Sequence, residues 1–230
     1  MTRPRGLESW RPRLPAGAED YVAELLGRHP IEVRLSRPRR TKLGDHQPPG
    51  RGRPAHRITV NDDLNPYAFL TTLLHEIAHA TTWERYRAGR RWVRPHGPEW
   101  KREFSGVLAP MVGTGILPRD VEEALGRSLE NAAAATCSDR RLVLALGRYD
   151  RVDDGRVFVE QLAAGTIFRV ENGMVFRAGR WLRTRRMCFE CRTGREYRVH
   201  GLARVEPLPT SAAAVFSGAR SRRGRRFGRS

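Results

Sequence analysis

Two histidines four positions apart, with a glutamate directly after the first, are the most chemically loaded residues of this sequence: His75-Glu76-Ile77-Ala78-His79. On an α-helix such histidines lie one turn apart on the same face, with roughly 5–6 Å between their Cβ atoms. Two imidazoles at that spacing can share one ion at Zn–N distances of about 2.0–2.1 Å. Glu76 then falls beside the ion rather than on it, where a carboxylate can take a proton from a metal-held water. A hydrolytic zinc needs a third protein ligand and one position left open. Continuation as H-x-x-G-x-x-H would place glycine at 82 and histidine at 85, but the chain has Thr82 and Arg85, which excludes that class. His96 and Glu99 remain, both within Arg94-Pro95-His96-Gly97-Pro98-Glu99-Trp100. His96 sits in a turn punctuated by proline and glycine that can return a side chain to the helix, and Glu99 would complete a set of two histidines and one carboxylate.

The element that must hold the pair is well specified. Asn65 is a favoured N-cap residue and Pro66 suits the first helical position, where no N–H is needed. Residues 67–86 contain neither glycine nor proline, and Gly89 is the expected stop. Phe69, Leu70, Leu73, Leu74, Ile77 and Ala78 recur at spacings of three and four, so the helix packs one side into a core. Before it, the pattern predicts a helix over 18–28, a strand over 31–36, a basic loop or loose hairpin over 37–56 and a strand over 57–61. After it come helices over 101–112 and 118–131. His46 and His56, in the basic segment, are expected to be exposed, and Trp83, Trp92 and Trp100 to serve packing.

HEIAHA followed at this distance by HGPEWKREF resembles the SprT-like family of zinc metallopeptidases, which includes the Spartan-type DNA–protein crosslink proteases. Ile58-Thr59-Val60-Asn61 and Leu64-Asn65 resemble the segment leading into the family's metal helix, and Thr41-Lys42-Leu43-Gly44 a piece before it; the similarity spans roughly residues 30–110. The resemblance implies that His96 is the third ligand, giving a single catalytic Zn2+ on His75, His79 and His96 with Glu76 as general base. It implies hydrolysis of amide bonds in a protein substrate held on nucleic acid, and a zincin-like α+β fold with the metal helix packed on a small sheet. In zincins an edge strand beside that helix aligns an extended peptide by strand addition, and Ile58 to Val60 is the candidate here. Tyr86, Arg85 and Arg94 are candidates to steady an oxyanion.

Many members of the family carry a C-terminal zinc ribbon, and Cys188-Phe189-Glu190-Cys191 invites that comparison. A structural zinc wants four ligands, and only the isolated Cys137 and His200 could complete this pair. In an alternating strand the two thiols would also face opposite ways, so a second zinc is not expected.

Composition adds a partner and a compartment. Lysine and arginine number 43 against 25 acids, a formal net charge of +18, and such a chain attracts polyanions, nucleic acid above all. Arg39, Arg40 and Lys42 near the metal helix, and Arg183, Arg185 and Arg186 in the later part, are the candidate nucleic-acid contacts. Three cysteines give no disulfide framework, the N-terminus lacks the apolar stretch of a secretory signal, and no run is long enough to span a membrane. The expectation is a soluble cytoplasmic protein.

The expected organisation is a disordered basic arm over 1–15, a metallopeptidase domain over 16–135 and a small basic β domain over 140–210. An Arg-rich disordered tail over 211–230 follows. In the β domain, 165–170 and 173–179 form one hairpin across Glu171-Asn172, and 181–191 with 195–207 a second, turning at Thr193-Gly194. The rival function is a nucleic-acid-binding protein in which the zinc is structural.

Overall fold

Asn65 fixes the start of the central helix, α2 (Pro66–Thr82): its side-chain oxygen accepts from the Ala68 N–H at 2.9 Å, and Pro66 occupies the first turn. The Asn65 amide also donates to the Leu146 carbonyl at 2.9 Å and to Asp150 at 2.8 Å, tying the helix start to a later segment. Phe69, Leu70, Leu73, Leu74 and Ile77 are fully buried, so the helix is the axis of its core rather than a surface element. It passes into a π-helical turn over Trp83–Arg87, and the expected stop at Gly89 lies outside the described residues. This computed structural model describes residues 9–39, 42–87, 93–130, 139–150 and 155–209, and the chain divides into two compact units, Met1–Arg151 and Val152–Ser230.

In the first unit, α1 (Glu19–Arg28) leads into a three-stranded sheet of β1 (Ile31–Ser36), β2 (Gly44–Gln47) and β3 (His56–Asn61) in the order β1-β3-β2. β1 runs parallel to β3, Val33 opposite Ile58, and β2 runs antiparallel to β3, Gly44 opposite Val60. The sheet places Val33, Ile58 and Val60 in the α2 core. Strand β3 is therefore central, with hydrogen bonds on both sides, and cannot be the peptide-accepting edge expected of Ile58 to Val60. That edge is β2. Its Gly-Asp-His-Gln sequence offers no apolar alternation to betray a strand; it is extended because it completes the ladder of β3.

Helix α3 (Pro98–Leu108) contributes Trp100, Phe104, Val107 and Leu108 to the same core, and α4 (Arg119–Glu130) adds Val121 and Leu125. Two expectations shift. Trp10 and Leu14 are buried in this core, so the part of the supposed basic arm next to α1 is packed structure; residues 1–8 lie outside the described ones. A further helix, α5 (Arg140–Gly147), capped by Asp139, buries Leu142 and Ala145 there too, so the first unit extends past 135 to Arg151. The Ala-rich 131–136 boundary lies outside the described residues.

The second unit is a six-stranded antiparallel sheet. Its strands are β4 (Val157–Phe158), β5 (Ile167–Arg169), β6 (Val175–Trp181), β7 (Arg185–Glu190), β8 (Glu196–His200) and β9 (Arg204–Leu208), in the order β4-β9-β5-β6-β7-β8. The hairpin of β5 and β6 forms across Glu171-Asn172, with Phe168 opposite Phe176. The expected arm 195–207 is two strands: a turn after His200 lets β9 leave β8 and pair with β5 and β4 instead. Phe168, Phe176, Ala178, Cys188 and Val205 fill its core. The Arg-rich tail over 211–230 lies outside the described residues, as does Cys137. No described helix is long and apolar enough to cross a membrane.

Candidate metal centre

His75 and His79 stand one turn apart on α2, His75 buried and His79 partly so. The third imidazole arrives from the turn before α3, where Gly97 N–H closes on the Arg94 carbonyl at 2.9 Å. His96 is the one described non-glycine residue with a positive φ, 56°, a left-handed conformation that histidine accepts more readily than bulkier residues. Its Nε2 lies 3.1 Å from Nε2 of His75 and 3.1 Å from Nε2 of His79. A tetrahedral ion with Zn–N bonds of about 2.0–2.1 Å would separate its nitrogens by roughly 3.3–3.4 Å, so the three rings converge at the spacing such an ion sets. Burial holds the His75 pKa down to about 3 and that of His79 down to about 2, each helped by neighbouring imidazoles, and lowers His96 as well. All three are neutral rings offering lone pairs, the form in which histidine binds metal. The donor set and its geometry fit zinc.

Trp100, in the first turn of α3, forms the floor: its ring centroid lies 4.6 Å from His75, 5.3 Å from His79 and 4.8 Å from His96. Phe104 stacks behind it at 4.9 Å. Glu99 is not among the residues whose ligand atoms gather here; the described cluster consists of the three histidines.

Glu76 is 7% exposed and points at the edge strand. Burial, followed by the negative charge of Asp45, pushes its pKa up to about 7. Gly44 makes the room for it. A Cβ there would stand 2.6 Å from the Glu76 Oε1 and 2.8 Å from its Cγ, distances no real side chain tolerates. The sequence marked Gly44 only as part of a resembling segment; that a glycine must face the carboxylate follows from the packing of β2 on α2.

The remaining candidates are scattered. Arg39 donates to the Asn61 side chain at 2.9 Å, to the Thr59 hydroxyl at 3.0 Å and to the Thr59 carbonyl at 3.3 Å, pinning the loop after β1 to β3. Lys42 pairs with Asp45 at 2.7 Å, and Arg40 lies outside the described residues. Arg183 and Arg185 are exposed at the turn between β6 and β7, whereas Arg186 is 2% exposed. Arg186 donates to the carbonyls of Gly179, Val159 and Leu162, so it closes loops of the second unit and is withdrawn as a nucleic-acid contact. Arg85 is paired with Glu103 at 2.7 Å, and the Tyr86 hydroxyl accepts from Arg102. His56 is fully buried and His46 partly buried, against the expectation that both face solvent.

Residues 16–116, which hold α1, the three-stranded sheet, α2 and α3, match the SprT-like family. The match covers 101 of the 230 residues, so the similarity to the SprT-like family is that of this segment. That family is related to the zincin-like metallopeptidases, and the α+β build of the first unit agrees with it. The SprT-like segment ends before α4, so α4, α5 and the second unit lie beyond the match. No curated protein and no solved structure matches the chain.

Proposed function

We propose that the chain is a zinc-dependent metallopeptidase that cleaves amide bonds in proteins associated with nucleic acid. The observation that carries the reading is the convergence of three neutral imidazole nitrogens beside a buried carboxylate. His75, His79 and His96 would hold the ion. Bound there, zinc supplies Lewis acidity, polarising the scissile carbonyl and making water a nucleophile near neutral pH. Glu76 acts on protons: one of its carboxylate oxygens takes the proton of the attacking water and passes it to the departing amine nitrogen. A pKa raised to about 7 suits a group that must both accept and return a proton. Trp100 and the core behind it exclude water from the inner side of the imidazoles.

Among the described residues strand β2 has β3 on one side and no strand on the other, so it offers backbone groups to an extended peptide. A peptide added there runs past Gly44 and hence past Glu76. The net charge of +18 supports nucleic acid as the second partner, with Lys42, Arg183 and Arg185 the exposed ones among the described candidates. Cys188 and Cys191 are free thiols, consistent with work in the reducing cytoplasm.

The test is cleavage of a mixed protein substrate by the zinc-loaded chain, with and without DNA, set against Glu76→Gln. The parent should cleave, and the variant should keep its zinc and not cleave. Equal cleavage by both overturns the assignment of Glu76, and a zinc-loaded parent that cleaves nothing favours a structural metal.

A further inference from the structure

A second file of polar side chains lies behind His79, and the hydrolytic scheme leaves it unused. The ring of His46, on edge strand β2, lies nearly parallel to that of His79, with centroids 6.2 Å apart and planes 7° from one another. Nε2 of His46 is 2.8 Å from Nδ1 of His56, the fully buried first residue of β3. Nε2 of His56 faces Oε1 of Glu84 at 3.5 Å, and the other oxygen of Glu84 meets Nδ1 of His29. Trp83 closes on His56 edge-to-face at 5.1 Å.

Two features of the fold bring these groups into line. Alternate residues of a strand share a face, so Gly44 and His46 point the same way, Gly44 at Glu76 and His46 at His79, one helical turn further on. The strand thus presents an empty position to the carboxylate and a flat ring to the ligand. Glu84 emerges from the π-helical turn that replaces the last turn of α2. Such turns are rare and concentrate at functional sites.

The file also fixes which nitrogens carry hydrogen. A buried ring nitrogen beside a carboxylate is favoured as N–H, so Nε2 of His56 carries hydrogen and its Nδ1 accepts from Nε2–H of His46. Burying two imidazoles here is costlier than burying two aliphatic side chains of similar volume, and burial holds both rings in the neutral form. We propose that Glu84, His56 and His46 are positioning residues of the metal centre: the carboxylate orients His56, His56 orients His46, and the His46 ring holds His79 in the plane that aims its Nε2 at the ion. The inference rests on the three-histidine cluster being a metal site.

The test titrates the metal-free full-length chain with Co2+, read by its visible absorption, and with Zn2+, read by competition with a chromophoric chelator. The variants are His56→Phe, Glu84→Ala and Glu84→Gln. Because His56→Phe alters a fully buried side chain, Glu84→Ala, at a partly exposed site, carries the decision. Glu84→Ala should weaken Zn2+ binding by about 10–100-fold, the range for groups that orient metal ligands, and should alter the Co2+ spectrum. Glu84→Gln, which keeps an oxygen facing Nε2 of His56, should restore both. A parent spectrum and parent affinity in Glu84→Ala, or a Glu84→Gln no better than Glu84→Ala, overturns the file. A parent chain that takes up neither metal overturns the metal site itself, a separate and distinguishable failure.

Discussion

Each unit buries a charged type of side chain, and the two are treated in opposite ways. In the second unit Arg186 is 2% exposed and donates to three backbone carbonyls, at 2.9 Å to Gly179, 3.3 Å to Val159 and 2.6 Å to Leu162. In the first unit Glu76 is 7% exposed and makes no hydrogen bond or ion pair among the described residues, while the strand facing it carries a glycine to clear space. A buried ion whose partners are complete is architecture, because any change in its protonation would break the fold around it. A buried carboxylate with free lone pairs and a raised pKa is free to move a proton. Burial alone would not have told these two residues apart; their partners do.

The comparison can be broken in several places. Its largest consequence is for the ligands: His79→Ala or His96→Ala should reduce bound zinc from one per chain to background, measured by elemental analysis, and hydrolysis should vanish with it. Glu76→Gln should leave zinc in place and lower the hydrolytic rate by about 10²–10⁴-fold, the usual contribution of a positioned general base. Gly44→Val should displace the same carboxylate through the overlap at its Cβ. Zinc should again be retained, and kcat should fall by about 10²-fold, the order expected of a misplacement near 1 Å. Arg186→Met should do the reverse. Removing a buried charge and its bonds to three carbonyls should destabilise the second unit by about 3 kcal/mol in denaturant unfolding, with zinc content unchanged; a loss of zinc would mean that the arginine is more than architecture. The smallest effect is expected of Arg183→Ala with Arg185→Ala, which should flatten the dependence of DNA affinity on salt by about one unit of slope per arginine while leaving stability alone.

Local signals carried much of this. The cap at Asn65, the buried face of α2, strand β1 and the hairpin of β5 with β6 are properties of short windows, and each was legible from residue types and spacing. His96 was legible as one of two candidates for the third ligand, and the turn that delivers it is built from the Pro and Gly on either side. What escaped depends on contacts distant in sequence. The order β1-β3-β2 puts an unpatterned segment at the edge and an apolar one in the middle, and nothing within β2 announces that. α5 was absorbed into the β pattern that follows because eight residues are too few for helical periodicity to assert itself. Arg186 sits among arginines that face solvent, and only the pairing of β6 with β7 reveals that it turns inward. His46 and His56 passed for surface residues because their partner Glu84 is nearly thirty positions or more away.

The left-handed backbone at His96 has a consequence for how the metal site assembles. Holding a non-glycine residue there costs roughly 1–3 kcal/mol, a penalty that falls on the chain whether or not an ion is bound. Coordination can offset that penalty, so the turn should relax when stripped of metal and tighten on loading, while His75 and His79 stay where the helix puts them. The ion would then be held by two imidazoles that the helix fixes and by a third whose placement depends on the backbone of a single residue.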